Sequence, residues 1–137
     1  RALIDTVDEQ NAAAAFVLID QYGFETLNSE APTATYIVAS IIQHASLEDQ
    51  LRLLPLIEPV ALSGGFPGQT YALMYDRVAM RQDRTQRYGT QGACVDGMRT
   101  LYPIEDEAHV DERRAEMGME PLAEYRASLI QMYGEHC

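Results

Sequence analysis

Apolar residues recur at helical spacing along most of the chain. Leu3, Val7, Ala14, Leu18 and Tyr22 form one such stripe, widened by Ile4, Ala15 and Phe16, and predict a helix over residues 2–22 that Gly23 closes. Residues 24–32 contain Asn28, Ser29 and Pro32 and read as a connecting loop. Thr33 to His44 is apolar on nearly every face, the signature of a helix buried on most sides. Ser46 followed by Asp49 resembles a capping box, so a new helix starts there, turning Leu47, Leu51, Leu54 and Ile57 inward. Pro55 and Pro59 are expected to kink or end it.

Ser63 to Gly68 is a break, and Pro67 is placed to open a helix over Gly68 to Arg81. Beyond it the pattern changes. Asp96-Gly97 lies between Gln91–Val95 and Met98–Tyr102 and signals a β-hairpin, within a stretch from 87 to 102 that is otherwise extended loop. Asp106 caps a predicted helix from Glu107 to Met117, closed by Gly118. Pro121 opens the last helix, with Leu122, Tyr125, Leu129 and Met132 on one stripe and Gly134 at its end. The expectation is a mainly α fold: an irregular bundle of about six helices in a single domain, 1–137, with one short hairpin or extended loop.

Length and charge narrow the function classes. A chain of 137 residues sits within the usual size of one domain, about 100–150 residues. Apolar runs such as Tyr36 to Ile42, with Ser40 inside it, are far short of the ~20 residues of a membrane span. The 21 acidic residues against 10 cations, all arginine, leave a net charge of −11. That balance argues against nucleic acid as a partner, since duplex affinity rests on clustered basic residues. The local run Arg77, Arg81, Arg84 and Arg87 is interleaved with Asp76 and Asp83. Cys94 and Cys137 leave two alternatives open: a disulfide in an oxidising compartment, or two free thiols in the cytosol. The chain begins with Arg1 rather than methionine, so a signal peptide is not excluded; the cytoplasm is the default compartment.

Asp76 is the most informative position. Its helical neighbours Ala72, Leu73, Ala79 and Met80 are all apolar, which places a carboxylate on the side that faces the core. It must find donors there, from Arg87, Tyr88, Gln91 or His44. Either it anchors the 83–92 loop through backbone N–H groups, or it takes part in ligand binding or proton transfer. His44 lies on an apolar helical face, as a hydrogen-bonded core residue or as part of a polar pocket with Gln43. Tyr88, Thr90 and Gln91 surround Gly89 in a loop rich in hydrogen-bonding groups. His109 among Glu105, Asp106 and Asp111 is weighed as a metal site and set aside as surface, and no glycine-rich phosphate loop or other cofactor motif is found. Of Arg113 and Arg114, one is expected to turn in and meet an acid.

Gln43-His44-Ala45, Tyr75-Asp76-Arg77-Val78, Arg87-Tyr88-Gly89-Thr90-Gln91, Val110-Asp111-Glu112-Arg113-Arg114 and Pro121-Leu122-Ala123-Glu124-Tyr125 together resemble an uncharacterised bacterial domain family of unknown function. Ser46 stands where the family pattern has an acid, and Phe24 where it has tryptophan. The resemblance implies no activity. It implies that His44, Asp76, Arg77, Tyr88 and Gln91 belong to one pattern. The function expected is therefore a polar pocket built from these five residues, in an acid–base enzyme or a small-molecule binder. In the enzyme, His44 or Asp76 moves a proton, Arg77 stabilises negative charge, and Tyr88 and Gln91 orient substrate. The alternative is an acidic interaction module, of the antitoxin or immunity type, that binds a basic protein.

Overall fold

The structure is a computed structural model that describes residues 2–137; Arg1 and the side chains of Ala2, Leu3 and Asp5 lie outside the described residues, and the Leu3 position of the first stripe with them. The elements in order are α1 (Ala2–Tyr22), α2 (Phe24–Glu30), α3 (Pro32–Ile42), α4 (Leu47–Leu62), α5 (Gly68–Arg81), β1 (Gly92–Val95), β2 (Met98–Leu101), α6 (Val110–Glu116) and α7 (Leu122–Tyr133). The fold is mainly α with one antiparallel hairpin, as the pattern predicts. No helix among the described residues is long and apolar enough to cross a membrane. The chain divides into two compact units, one ending at Pro67 and the other Gly68–Cys137.

In the first unit, α1 ends at Gly23 as predicted, but it buries a different face. Ala12, Ala15, Phe16 and Ile19 are buried, at helical spacing, while Val7, Leu18 and Tyr22 are exposed. The segment read as a loop is helix α2. Asn28, a poor helix former, is buried there because its Nδ2 donates to the Gly65 carbonyl at 2.7 Å and its Oδ1 accepts from the Thr35 hydroxyl at 2.7 Å. These partners lie 37 and 7 residues away, so local propensity does not register them. Helix α3 buries only Thr35, Ala39 and Ile42 and leaves Tyr36 and Ile37 exposed, a narrower face than predicted.

Ser46 caps α4 by accepting the Asp49 N–H at 3.1 Å. The helix then runs through Pro55 and Pro59 to Leu62, so neither proline ends it. Each proline withholds a hydrogen bond from the carbonyl four residues earlier, on Leu51 and on Pro55. Leu51, Pro55 and Pro59 share one exposed stripe, so water reaches the freed carbonyls. Leu53, Leu54, Ile57, Val60 and Ala61 stay buried on the opposite side. A buried aliphatic side chain contributes about 1.5–3 kcal/mol, enough in sum to outweigh the proline cost of about 3 kcal/mol each.

In the second unit the Asp96-Gly97 turn has φ of 50° and 76°, the double positive φ that a two-residue hairpin turn requires. It pairs Val95 with Met98 and Cys94 with Arg99. The C-terminal tail joins the hairpin through one isolated antiparallel bridge, Met98 with His136: the Arg99 N–H donates to the Glu135 carbonyl at 2.8 Å and the Cys137 N–H to the Gly97 carbonyl at 3.0 Å. The Cys94–Cys137 disulfide closes this edge, so of the two alternatives for the cysteines the bonded one is found. The predicted helix at Glu107 begins as a 3-10 turn, Glu107–His109, and becomes α only from Val110. Asp106 does not cap it; with φ of 41°, its carboxylate turns to His109 Nδ1 at 2.9 Å instead. Of the predicted α7 stripe, Leu122 is buried and Met132 is exposed.

Candidate functional site

Helix α5 buries Tyr71, Ala72, Met74, Val78 and Ala79, and in the middle of that face Asp76 is completely buried. Burying a carboxyl group without partners costs several kcal/mol. Asp76 has four. Its Oδ1 accepts the N–H groups of Arg87 at 2.7 Å and Tyr88 at 3.1 Å. Its Oδ2 accepts the Thr90 N–H at 3.0 Å and the Thr90 hydroxyl at 2.9 Å. Both oxygens are therefore filled by the loop that follows the helix, the anchoring geometry that the position in the sequence allows.

The same loop is held from its other side. Gln86, also fully buried, accepts the Gln91 N–H at 2.8 Å and donates from Nε2 to the carbonyls of Gln91 at 3.1 Å and Tyr102 at 2.8 Å. Arg113 Nε donates to the Arg87 carbonyl at 3.0 Å, Arg114 Nη1 to the Tyr88 carbonyl at 2.7 Å, and the Tyr125 hydroxyl to the Thr90 carbonyl at 3.0 Å. Side chains thus satisfy both the N–H and the C=O of Arg87, Tyr88, Thr90 and Gln91. A loop can be buried only when its backbone groups find such partners. Gly89 passes through with φ of 73°, and a Cβ there would lie 2.7 Å from Leu122 Cδ1 and 2.9 Å from Ile104 Cδ1.

Of the five residues expected to share a site, the structure brings Asp76, Tyr88 and Gln91 into this network. Gln91 Nε2 donates to the Thr90 hydroxyl at 3.0 Å. The Tyr88 ring is buried edge-on against Tyr71 and Tyr75, with centroids 6.2 and 5.8 Å away. Arg77 is half-buried on α5. His44 belongs to the first unit, where it lies exposed in the turn after α3, its N–H on the Ile41 carbonyl; it is not a core histidine.

Arg114 carries more than its sequence context announces. It turns inward, but to carbonyls instead of an acid: Nη1 to Tyr88, and Nε to Glu120 at 2.6 Å. Its guanidinium lies 5.0 Å from the centroid of the Tyr125 ring. Only 1% of the residue is exposed, and burial lowers its pKa, partly offset by Tyr125 and the acids Asp111, Glu120 and Asp76. Its place was legible, since Val110, Arg114 and Met117 recur at helical spacing and all are buried. Gln86 gave no such signal.

Arg114 lines a cavity of about 290 Å³ together with Gln69, Leu73, Thr90, Gly118, Met119, Glu120 and Tyr125. No acceptor among the described residues meets Nη2 or the second Nη1 hydrogen. Among the described residues, no wholly buried side-chain nitrogen or oxygen goes without a partner, so the unpaired Nη2 is not wholly buried. A second groove of similar volume, between β2 and α7, contains Arg99 and Arg126. Both are engaged there, Arg99 with the carbonyls of Tyr133 and Gly134, and Arg126 with Glu107.

No curated protein and no solved structure matches this chain. One family model does, over residues 2–137, and it covers both units and every residue of the loop network. The chain belongs to that family, described as a family of unknown function (DUF6624).

Proposed function

We propose that the second unit is a small-molecule-binding module whose site is the Arg114 cavity. One observation carries this: a buried guanidinium with unpaired N–H groups that lines a cavity about the size of a small metabolite. The residues shared with the family pattern then have definite tasks. Asp76 and Gln91 fix Thr90 in the cavity wall, and the Tyr88 carbonyl orients Arg114. His44 and Arg77 have no part in it.

Binding is favoured over acid–base catalysis. A general base needs a lone pair facing its substrate, and the four acceptor positions of Asp76 are all occupied. Tyr125 is held by Thr90, and its pKa is raised by burial, which keeps the phenol protonated. The disulfide adds that the chain matures in an oxidising compartment.

A thermal-shift screen of small polar metabolites against the wild type and Gln69→Trp tests the proposal. Gln69 is exposed at the cavity wall on the first turn of α5, so tryptophan obstructs the cavity at small cost to the fold. The expected result is saturable stabilisation of the wild type by at least one compound, lost in Gln69→Trp. A compound that stabilises both proteins equally binds elsewhere, and that result removes the cavity from consideration.

A further inference from the structure

We propose that the Cys94–Cys137 disulfide is a thiol-reducible switch that holds residues 135–137 on the outer edge of β2 and releases them when reduced. The switch is independent of the Arg114 cavity. Cys94 and Cys137 are both exposed, so a thiol in solution reaches the bridge without unfolding the chain. Residues 131–137 are exposed throughout, and so are Val95, Asp96, Gly97 and Met98 of the hairpin they meet. No buried apolar side chain therefore holds the tail in place. It pairs with the hairpin through the Arg99 N–H on the Glu135 carbonyl and the Cys137 N–H on the Gly97 carbonyl, around the single bridge between Met98 and His136. Hydrogen bonds open to water add little net stability, and the disulfide makes up the difference by keeping the partners close.

Arg99 sets where the release stops. Its Nε and Nη2 donate to the carbonyls of Gly134 at 3.0 Å and Tyr133 at 3.2 Å, and its guanidinium lies 5.4 Å from the centroid of the Tyr133 ring. These contacts hold the end of α7 without using the bridge. Gly134 has φ of 80°, a conformation that glycine adopts freely, and it is the pivot on which residues 135–137 leave. The loop around Asp76 is unaffected, since its side-chain bonds come from Asp76, Gln86, Arg113, Arg114 and Tyr125, none of them in the tail. Release leaves the Arg99 N–H and the Gly97 carbonyl unpaired and opens the outer edge of β2, the kind of edge that proteins otherwise keep covered. The reductant is a dithiol. One of its thiolates attacks a bridge sulfur, forms a mixed disulfide and expels the other cysteine as a thiolate, which takes up a proton. Its second thiol then displaces the remaining protein sulfur, so both cysteines end as thiols and the reductant leaves as its own disulfide.

The test reduces the disulfide-bonded protein with dithiothreitol, in water and in urea below the unfolding transition, and times the appearance of thiols by alkylation and mass spectrometry. The rates should agree within about twofold, since attack on an exposed bridge needs no unfolding. In the reduced protein, NMR should show the Arg99 and Cys137 amides exchanging at least about tenfold faster, with Tyr88 and Thr90 unchanged, the signature of a local opening. Reduction that accelerates steeply with urea overturns the proposal, because the bridge is then reached only through unfolding. A reduced protein whose Arg99 amide keeps its protection also overturns it, and so does one in which Tyr88 and Thr90 open together with the tail.

Discussion

The side-chain amide of Gln86 pairs with both backbone groups of Gln91, accepting its N–H at 2.8 Å and donating to its carbonyl at 3.1 Å. One side chain thereby does for the loop what a neighbouring strand does for a sheet. Gln86→Ala leaves the Gln91 N–H and the Tyr102 carbonyl without these partners. Each buried polar group left unsatisfied costs ~1–3 kcal/mol, so a loss of roughly 2–4 kcal/mol is expected from urea denaturation. Gln86→Glu keeps the acceptor but turns carboxyl oxygens toward two carbonyls. It should be less stable at pH 7 than at pH 5, where the added acid gains a proton to donate.

Asp76→Asn places an NH₂ group among four donors, and in either orientation of the amide at least one N–H loses its acceptor. A destabilisation of roughly 2–4 kcal/mol is expected. Amide hydrogen exchange should accelerate at Arg87, Tyr88 and Thr90 before it does in α5. Unchanged exchange at those three amides would show that the carboxylate does not hold the loop.

Two glycines with nearly equal φ separate backbone strain from packing. Gly97 has φ of 76°, and a Cβ there would meet nothing within 4 Å, so Gly97→Ala should cost about 1–2 kcal/mol, the left-handed penalty alone. At Gly89, with φ of 73°, the added methyl also meets Leu122 and Ile104, and overpacking adds about 1–3 kcal/mol. Parallel thermal melts of the two variants check the difference.

The Cys94–Cys137 bridge closes a separation of 43 residues, for which chain entropy predicts up to about 4 kcal/mol. Reduction should lower stability by no more than this. It should also speed exchange of the Arg99 and Cys137 amides, which bond tail and hairpin together. If reduction leaves both amides protected, the tail stays paired with the hairpin without the disulfide.

His109 is exposed, and its pKa is raised above the ordinary histidine value by its hydrogen bond to Asp106 and the charge of that carboxylate. A folded pKa above the unfolded one contributes stability that is fully present below the ordinary value of 6.5 and lost as pH rises through the folded value. An NMR titration of the His109 ring should therefore show a midpoint above 6.5, falling toward it in Asp106→Asn.

The helical class, the hairpin at Asp96-Gly97, the Ser46 cap, the stop at Gly23 and the burial of Asp76 are all written in the local sequence. Each rests on residues within one or two turns of one another, so periodicity and φ preference carry them. Tertiary packing decided the rest. Helix α2 exists because Asn28 reaches Gly65, and α4 survives its prolines because their freed carbonyls face water while the opposite face is buried. Apolar residues surround much of α1 and α3, so composition alone did not select which face the core takes. The loop network and the Arg114 cavity depend on partners 5 to 35 residues away, such as Gln86 with Gln91 and Tyr125 with Thr90. A polar side chain looks the same in sequence whether water or a buried carbonyl satisfies it, and only the packed chain determines which.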